Sequence, residues 1–290
     1  MKKILVTGAS GQLGQCLRQQ LQNPTNISCY FATKEDLDIT NNEAVKSFFS
    51  EHNFDYCINT AAYTNVEKAE SEQKMAFLVN AEGAHNIAKA CNEHNVVLLH
   101  ISTDYVFDGT KETPYQEKDP TNPLNVYGAS KLKGEQYIST SCSKHFIIRT
   151  SWLYSLYGHN FLNSMLQFAT QKKALTITTQ QKGTPTNAND VAQILITIIK
   201  TGNTRYGVYH FSNQGEGTWY DFARAIFKAT GEIDSVNLAK TKHYPTFAKR
   251  PNYSVLNCNK VQVTFNNKCS HWEDSLKDLI QKTNGAKSHL

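Results

Sequence analysis

A chain of 290 residues, 40% of them hydrophobic, can bury a large core in one domain or two. The formal net charge of +5 is carried by dispersed lysines and arginines, which argues against nucleic acid as a partner and suits a phosphorylated small substrate. No apolar run has the length of a signal peptide or a membrane span, and the seven cysteines form no CxxC and no zinc-type Cys/His cluster, so reduced thiols in a cytoplasmic protein away from membranes are expected.

In chain order, short apolar runs at 3–7, 27–32, 56–59, 96–102 and 145–150 predict strands. Amphipathic stretches at 12–21, 42–51, 72–92 and 126–139 predict helices between them, the pattern of βαβ units around a parallel sheet. A capping box, with the Thr40 hydroxyl on free backbone donors and Glu43 reaching back, is expected to open the second helix. Residues 109–123, with Pro114, Pro120 and Pro123, read as a long loop of the kind that carries function. Beyond residue 150 the pattern loosens into helices at 161–170, 187–200, 220–229 and 271–282, with strands at 175–178 and 208–211.

TGASGQLG follows the first strand, setting Gly8, Gly11 and Gly14 three residues apart on the turn into a helix. Gly8 permits the tight turn, Gly11 lets a pyrophosphate approach the backbone, and Gly14 lets helix and strand pack closely. The helix start, at Gln12 and Leu13, offers unpaired N–H groups and a positive dipole end to phosphates. The second strand ends in Ala32-Thr33-Lys34-Glu35, and this mixture of signs leaves NADPH and NADH both open, with Lys34 tilting the choice toward NADPH. Asp38 and Ile39 are candidates to meet the adenine, and Ala61, Ala62 and Tyr63 to let backbone approach the cofactor.

Tyr127 and Lys131 stand four residues apart on a predicted helix and so share a face. A nearby ammonium stabilises a phenolate and lowers the pKa of a tyrosine that must exchange protons near neutrality. That spacing alone also occurs on surface helices. It gains meaning from Thr103, which ends the fourth strand at the carboxyl edge where open α/β sheets bind ligands, and which can donate to a carbonyl oxygen.

These motifs, with STDYVFDG and PLNVYGASKLKGE, resemble the extended short-chain dehydrogenase/reductases. Within them, NTAAYTNVEKAES, RTSWLY, GTPTNANDVA and KRPNYSVLN carry a resemblance along nearly the whole chain to the dTDP-4-dehydrorhamnose reductases. The resemblance implies an α/β fold: a Rossmann-type doubly wound parallel sheet over residues 1–150, rejoined at about 174–210, with a smaller carboxy-terminal α/β substrate domain from 151–173 and 211–290. It implies Tyr127 as general acid, Lys131 as electrostatic partner and cofactor-ribose ligand, and Thr103 as carbonyl orienter. It further implies sugar contacts from Asp104, Tyr105, Phe107 and Trp152, and an Arg250 clamp on a dTDP-sugar diphosphate. The related 4,6-dehydratases carry Asp-Glu after the threonine. Asp104-Tyr105 here lacks that base, which favours reduction of a 4-keto group, the last step of dTDP-rhamnose synthesis for cell-surface polysaccharide.

Three alternatives stay open: a reductase or epimerase for another nucleotide sugar, a regulatory subunit like the β subunit of methionine adenosyltransferase, and a Rossmann scaffold without a live site. Some bacterial members of the family dimerise through magnesium held by glutamates, one just after the glycine motif. Gly14-Gln15-Cys16 and the acid-free tail from 283 to 290 predict no structural metal here, and leave monomer and homodimer both open.

Overall fold

The computed structural model describes residues 1–22, 26–171, 174–242 and 244–287, with side chains as far as residue 282 at the carboxy end. The tail on which the metal expectation partly rested lies outside those side chains. The elements of the first half are β1 (Lys2–Thr7), α1 (Gln12–Gln20), β2 (Ile27–Ala32), α2 (Asn42–Glu51), β3 (Tyr56–Asn59), α3 (Val66–Ser71), α4 (Gln73–Phe77), α5 (Ala84–Glu93), β4 (Val97–Thr103), α6 (Val126–Ser141) and β5 (His145–Thr150). There follow β6 (Leu153–Tyr154), α7 (Phe161–Thr170), β7 (Leu175–Thr178), β8 (Lys182–Gly183), β9 (Thr186–Asn187), α8 (Ala188–Thr201) and β10 (Gly207–His210). The chain closes with β11 (Gly217–Thr218), α9 (Trp219–Thr230), β12 (Leu238–Thr241), α10 (Asn259–Phe265) and α11 (Trp272–Lys287).

Six strands form one parallel sheet in the order β10-β5-β4-β3-β1-β2. Consecutive residues Ile4, Leu5 and Val6 are all fully buried, as strands covered on both faces require. Leu13 and Leu17 of α1, with Val191 and Leu195 of α8, cover one face. Phe49 of α2, Ile87 of α5 and Ile138 of α6 cover the other. The strand order reverses at β1, so a crevice opens beyond the carboxyl ends of β1 and β3, where such sheets take ligands. A third core, built on Leu162, Phe222, Phe227 and Leu276, joins α7, α9 and α11 into a smaller body. Among the described residues no helix is long and apolar enough to cross a membrane.

Several local expectations are corrected. Asn41, not Thr40, caps α2, its side chain accepting from Ala44 N at 3.1 Å, while the Thr40 hydroxyl donates to Asp38 Oδ1 at 2.7 Å. The single helix expected at 72–92 is α4 and α5 joined by a π-helical turn, Leu78–Gly83. The strand β7, expected on the segment that rejoins the large sheet, pairs instead with β12, and the chain rejoins that sheet through α8 and β10. The two-residue strands and α10 were too short to stand out in the sequence pattern.

Candidate active site

The Gly8 turn is forced by its surroundings: φ is +65°, and a Cβ there would lie 2.6 Å from Ala61 N. Gly14 is buried on the inner face of α1, where a Cβ would meet Ala9 Cα at 2.7 Å, so it serves by packing and does not line the cavity. A Cβ on Gly11 would approach only Gly8 O, at 3.2 Å, leaving the groove over the α1 amino terminus open to a phosphate. That groove opens into a cavity of about 1020 Å³.

Gly8, Gly11, Gln12 and Leu13 form one wall of this cavity, with Lys34, Asp38 and Ile39 at the end of β2 and the loop after it. Ala61, Ala62 and Tyr63, after β3, form another. Thr103, Asp104 and Tyr105 converge from the end of β4, Tyr127 and Lys131 from α6, and Trp152 and Arg250 from farther along the chain. Phe107 does not join them. It is fully buried and stacks on Tyr115 at 4.2 Å, so the expectation of a substrate contact there fails because its ring turns into the core.

Around Thr103 the polar groups interlock. Its hydroxyl donates to Asp104 Oδ1 at 3.0 Å, accepts from Tyr105 N at 3.1 Å and is hydrogen-bonded with Tyr127. Asp104 is 2% exposed and its Oδ2 has no partner. Burial pushes its carboxyl up to about 7, against the nearby Ser254 and Thr103 hydroxyls, which lower it. Burial also pushes the Tyr127 phenol up to about 12, the reverse of the lowering expected from an adjacent ammonium. Lys131 is occupied elsewhere: Nζ donates to Ile101 O at 2.6 Å and lies 3.2 Å from His100 Nε2. Burial brings Lys131 down to about 8, with Glu135 opposing.

The structure adds residues that the sequence did not single out. Trp219 stacks on Trp152 at 3.7 Å with 6° between the planes, and its indole N–H donates to Gln181 Oε1 at 2.8 Å. Trp152 itself has φ +42°. Arg250 Nη2 donates to Glu67 Oε1 at 2.7 Å, and Glu67 Oε2 accepts from Phe247 N and Ala248 N, which ties α3 to the segment carrying the arginine. Arg250 Nε is buried without a partner. Beside the glycine turn a second cavity, of about 440 Å³, is lined by Ser10, Arg18 and Thr33. A tryptophan opening a distant helix, or an arginine in the last turn of α1, carries no local signal that marks it as part of a site.

The chain matches the family described as the RmlD substrate binding domain over residues 1–284. The dTDP-4-dehydrorhamnose reductase of Aggregatibacter actinomycetemcomitans is 41% identical, covering 96% of this chain and 98% of its own length. Among solved structures, the dTDP-4-dehydrorhamnose reductase of Clostridium acetobutylicum superposes with a TM-score of 0.92 at 38% identity, over 97% of this chain and 99% of that one. The Bacillus anthracis reductase, crystallised in complex with NADP, gives 0.93 at 36% identity over 97% and 100%. Similarity of this extent, over nearly the full length of each relative, makes the chain a member of the RmlD substrate binding domain family, alongside the dTDP-4-dehydrorhamnose reductases.

Proposed function

We propose that this chain reduces the 4-keto group of dTDP-4-dehydro-L-rhamnose to give dTDP-L-rhamnose, with NADPH or NADH as reductant. The observation that carries the reading is one cavity that joins an open glycine turn to Thr103, Tyr127 and Lys131, in a chain of this family. The bound dihydronicotinamide supplies the hydride. Gly8, Gly11, Gln12 and Leu13 hold its diphosphate, Asp38, Ile39, Ala61, Ala62 and Tyr63 flank the adenosine side, and Lys131 meets the nicotinamide ribose. Two cations near the end of β2, Lys34 and Arg18, favour the 2′-phosphate of NADPH.

Tyr127, kept as a phenol by burial, gives its proton to the C4 oxygen as that oxygen gains charge. The Thr103 hydroxyl, which donates to Asp104 Oδ1, turns that proton toward the same oxygen. Tyr105 and the Trp152–Trp219 pair bound the sugar, and Arg250, with its free Nε, meets the diphosphate. The six-stranded body is the cofactor half and the smaller body the substrate half. The enzyme works in the cytoplasm as a monomer or homodimer, in keeping with cysteines that are all unpaired. Purified chain, dTDP-4-dehydro-L-rhamnose and either cofactor should lose absorbance at 340 nm. No loss with both cofactors refutes the proposal, and turnover of a different 4-keto nucleotide sugar alone would reassign the substrate.

A further inference from the structure

Beneath the proposed catalytic pair a hydrogen-bonded chain crosses three strands at one register. Thr7 of β1 pairs with Asn59 of β3, and Asn59 with His100 of β4. All three are buried: Thr7 0%, Asn59 1% and His100 1% exposed. Asn59 Oδ1 accepts from Thr7 Oγ1 at 2.7 Å and from Ala61 N at 3.2 Å. The Ala61 amide can only donate, so it fixes which end of the Asn59 amide is oxygen. Nδ2 therefore faces His100 Nδ1, at 3.1 Å, and donates to it.

A histidine ring whose Nδ1 accepts carries its single proton on Nε2 when neutral. His100 Nε2 lies 3.2 Å from Lys131 Nζ. An ammonium has donors only, and would set N–H against N–H across this contact. An amine has a lone pair that accepts from Nε2–H while another of its N–H bonds serves Ile101 O at 2.6 Å. We propose that the Thr7–Asn59–His100 chain fixes His100 as its Nε2–H tautomer and so shifts Lys131 toward its uncharged amine in the cofactor-free site, making Asn59 and His100 positioning residues for the proton of the catalytic pair.

The groups facing this contact agree with it. His100 meets Lys131 from α6 and His145 from β5, and burial with these neighbours holds the ring well below the usual histidine range, hence neutral. Lys131 meets His100 from β4 and Glu135 on its own helix, and the Glu135 carboxylate is already committed to Arg149 at 2.7 Å and to the Ser102 hydroxyl. Tyr127 faces Asp104 and Thr103. An amine at Lys131 leaves the phenol protonated, which is the state a reductase needs before it gives a proton away. Cofactor hydroxyls arriving at Nζ then supply the acceptors that an ammonium lacks here.

The inference rests on the proposed place of Lys131 beside the cofactor, and it is read without substrate or cofactor, so it can fail separately from the reductase reading. Long-range ¹H–¹⁵N correlation of histidine-labelled chain at pH 9, with His100 assigned by difference from His100→Gln, should show protonated Nε2 and bare Nδ1. A protonated Nδ1 overturns the proposal. Asn59→Asp replaces the donating Nδ2 with an accepting oxygen. It should therefore move the proton to Nδ1 and leave Nε2 to accept from a charged Lys131, whose titration, read from ¹³Cε-labelled lysine, should rise by at least one pH unit. Because the new carboxylate also draws that titration upward by its charge, the His100 proton decides, and an unmoved tautomer in folded Asn59→Asp overturns the proposal too. Should that variant fail to fold, the measurement on the unaltered chain still decides.

Discussion

At the scale of single residues, a half-buried phenol and a buried carboxyl set the chemistry and each gives a test. Tyr127→Phe removes one oxygen from a half-buried ring, so the fold should survive while kcat/KM for the keto sugar falls by about 10²-fold or more. Retained activity would mean that the proton comes from elsewhere, with Asp104 the next donor to examine. Asp104 makes a prediction about pH. Its carboxyl holds a proton up to about 7 in the folded chain but only to about 3.8 in a model chain, so between those values the folded state binds a proton that the unfolded state has released. Its contribution to stability is complete below pH 3.8 and is lost as pH rises through 7, an effect on the order of 4 kcal/mol. Asp104→Asn removes that dependence, so the melting temperature of the variant relative to the parent should climb between pH 4.5 and pH 8. A difference that stays flat across that range would show an Asp104 carboxyl titrating as in water.

At the scale of elements, the π-helical turn is where sequence and structure part. Residues 72–92 have an apolar pattern that reads as one helix, and nothing local marks the extra residue in the turn at 78–83. The reason lies across the fold. Gly134 of α6 presses on this turn so closely that a Cβ would lie 2.2 Å from Asn80 O. Asn80 in turn accepts from Tyr63 N and donates to Tyr63 O, each at 2.9 Å, and so shapes one wall of the cavity. Gly134→Ala should push α6 off the turn, cost about 1–3 kcal/mol in denaturant melts and raise the KM for cofactor. A destabilised variant with unchanged cofactor KM would separate the packing role from the shaping of the cavity. By contrast, the glycine turn, β1 to β5 and the Tyr127–Lys131 face were legible, because each depends on spacing within one segment. Trp219, Glu67 and His100 were not, because each matters through a partner 67, 183 or 31 residues away.

At the scale of the whole molecule, segments far apart in the chain meet around the cavity through their side chains. Glu67 of α3 pairs with Arg250. Trp152, two residues after β5, stacks on Trp219, which opens α9 against the third core. Hydrogen bonds from Ser275 to Asp190 and from Ser155 to Gln12 add to these links. The third tryptophan, Trp272, is 2% exposed and packs edge-on to Phe222 at 6.0 Å, inside the smaller core. A sugar entering the cavity therefore alters the surroundings of the first two indoles and spares the third, so intrinsic fluorescence should report sugar-nucleotide binding. Trp219→Ala removes part of the cavity wall and the ring that holds Trp152 in place. It should raise the KM for the nucleotide sugar by roughly 2- to 10-fold, the range for losing one aromatic contact, and abolish most of the fluorescence response. Cofactor affinity should hold, because Trp219 faces the other indole and Phe161, 4.8 Å away, while the glycine turn lies on the opposite body. If cofactor affinity fell and the sugar KM stayed constant, the stack would belong to the joint between the bodies alone, and the sugar would bind elsewhere in the cleft.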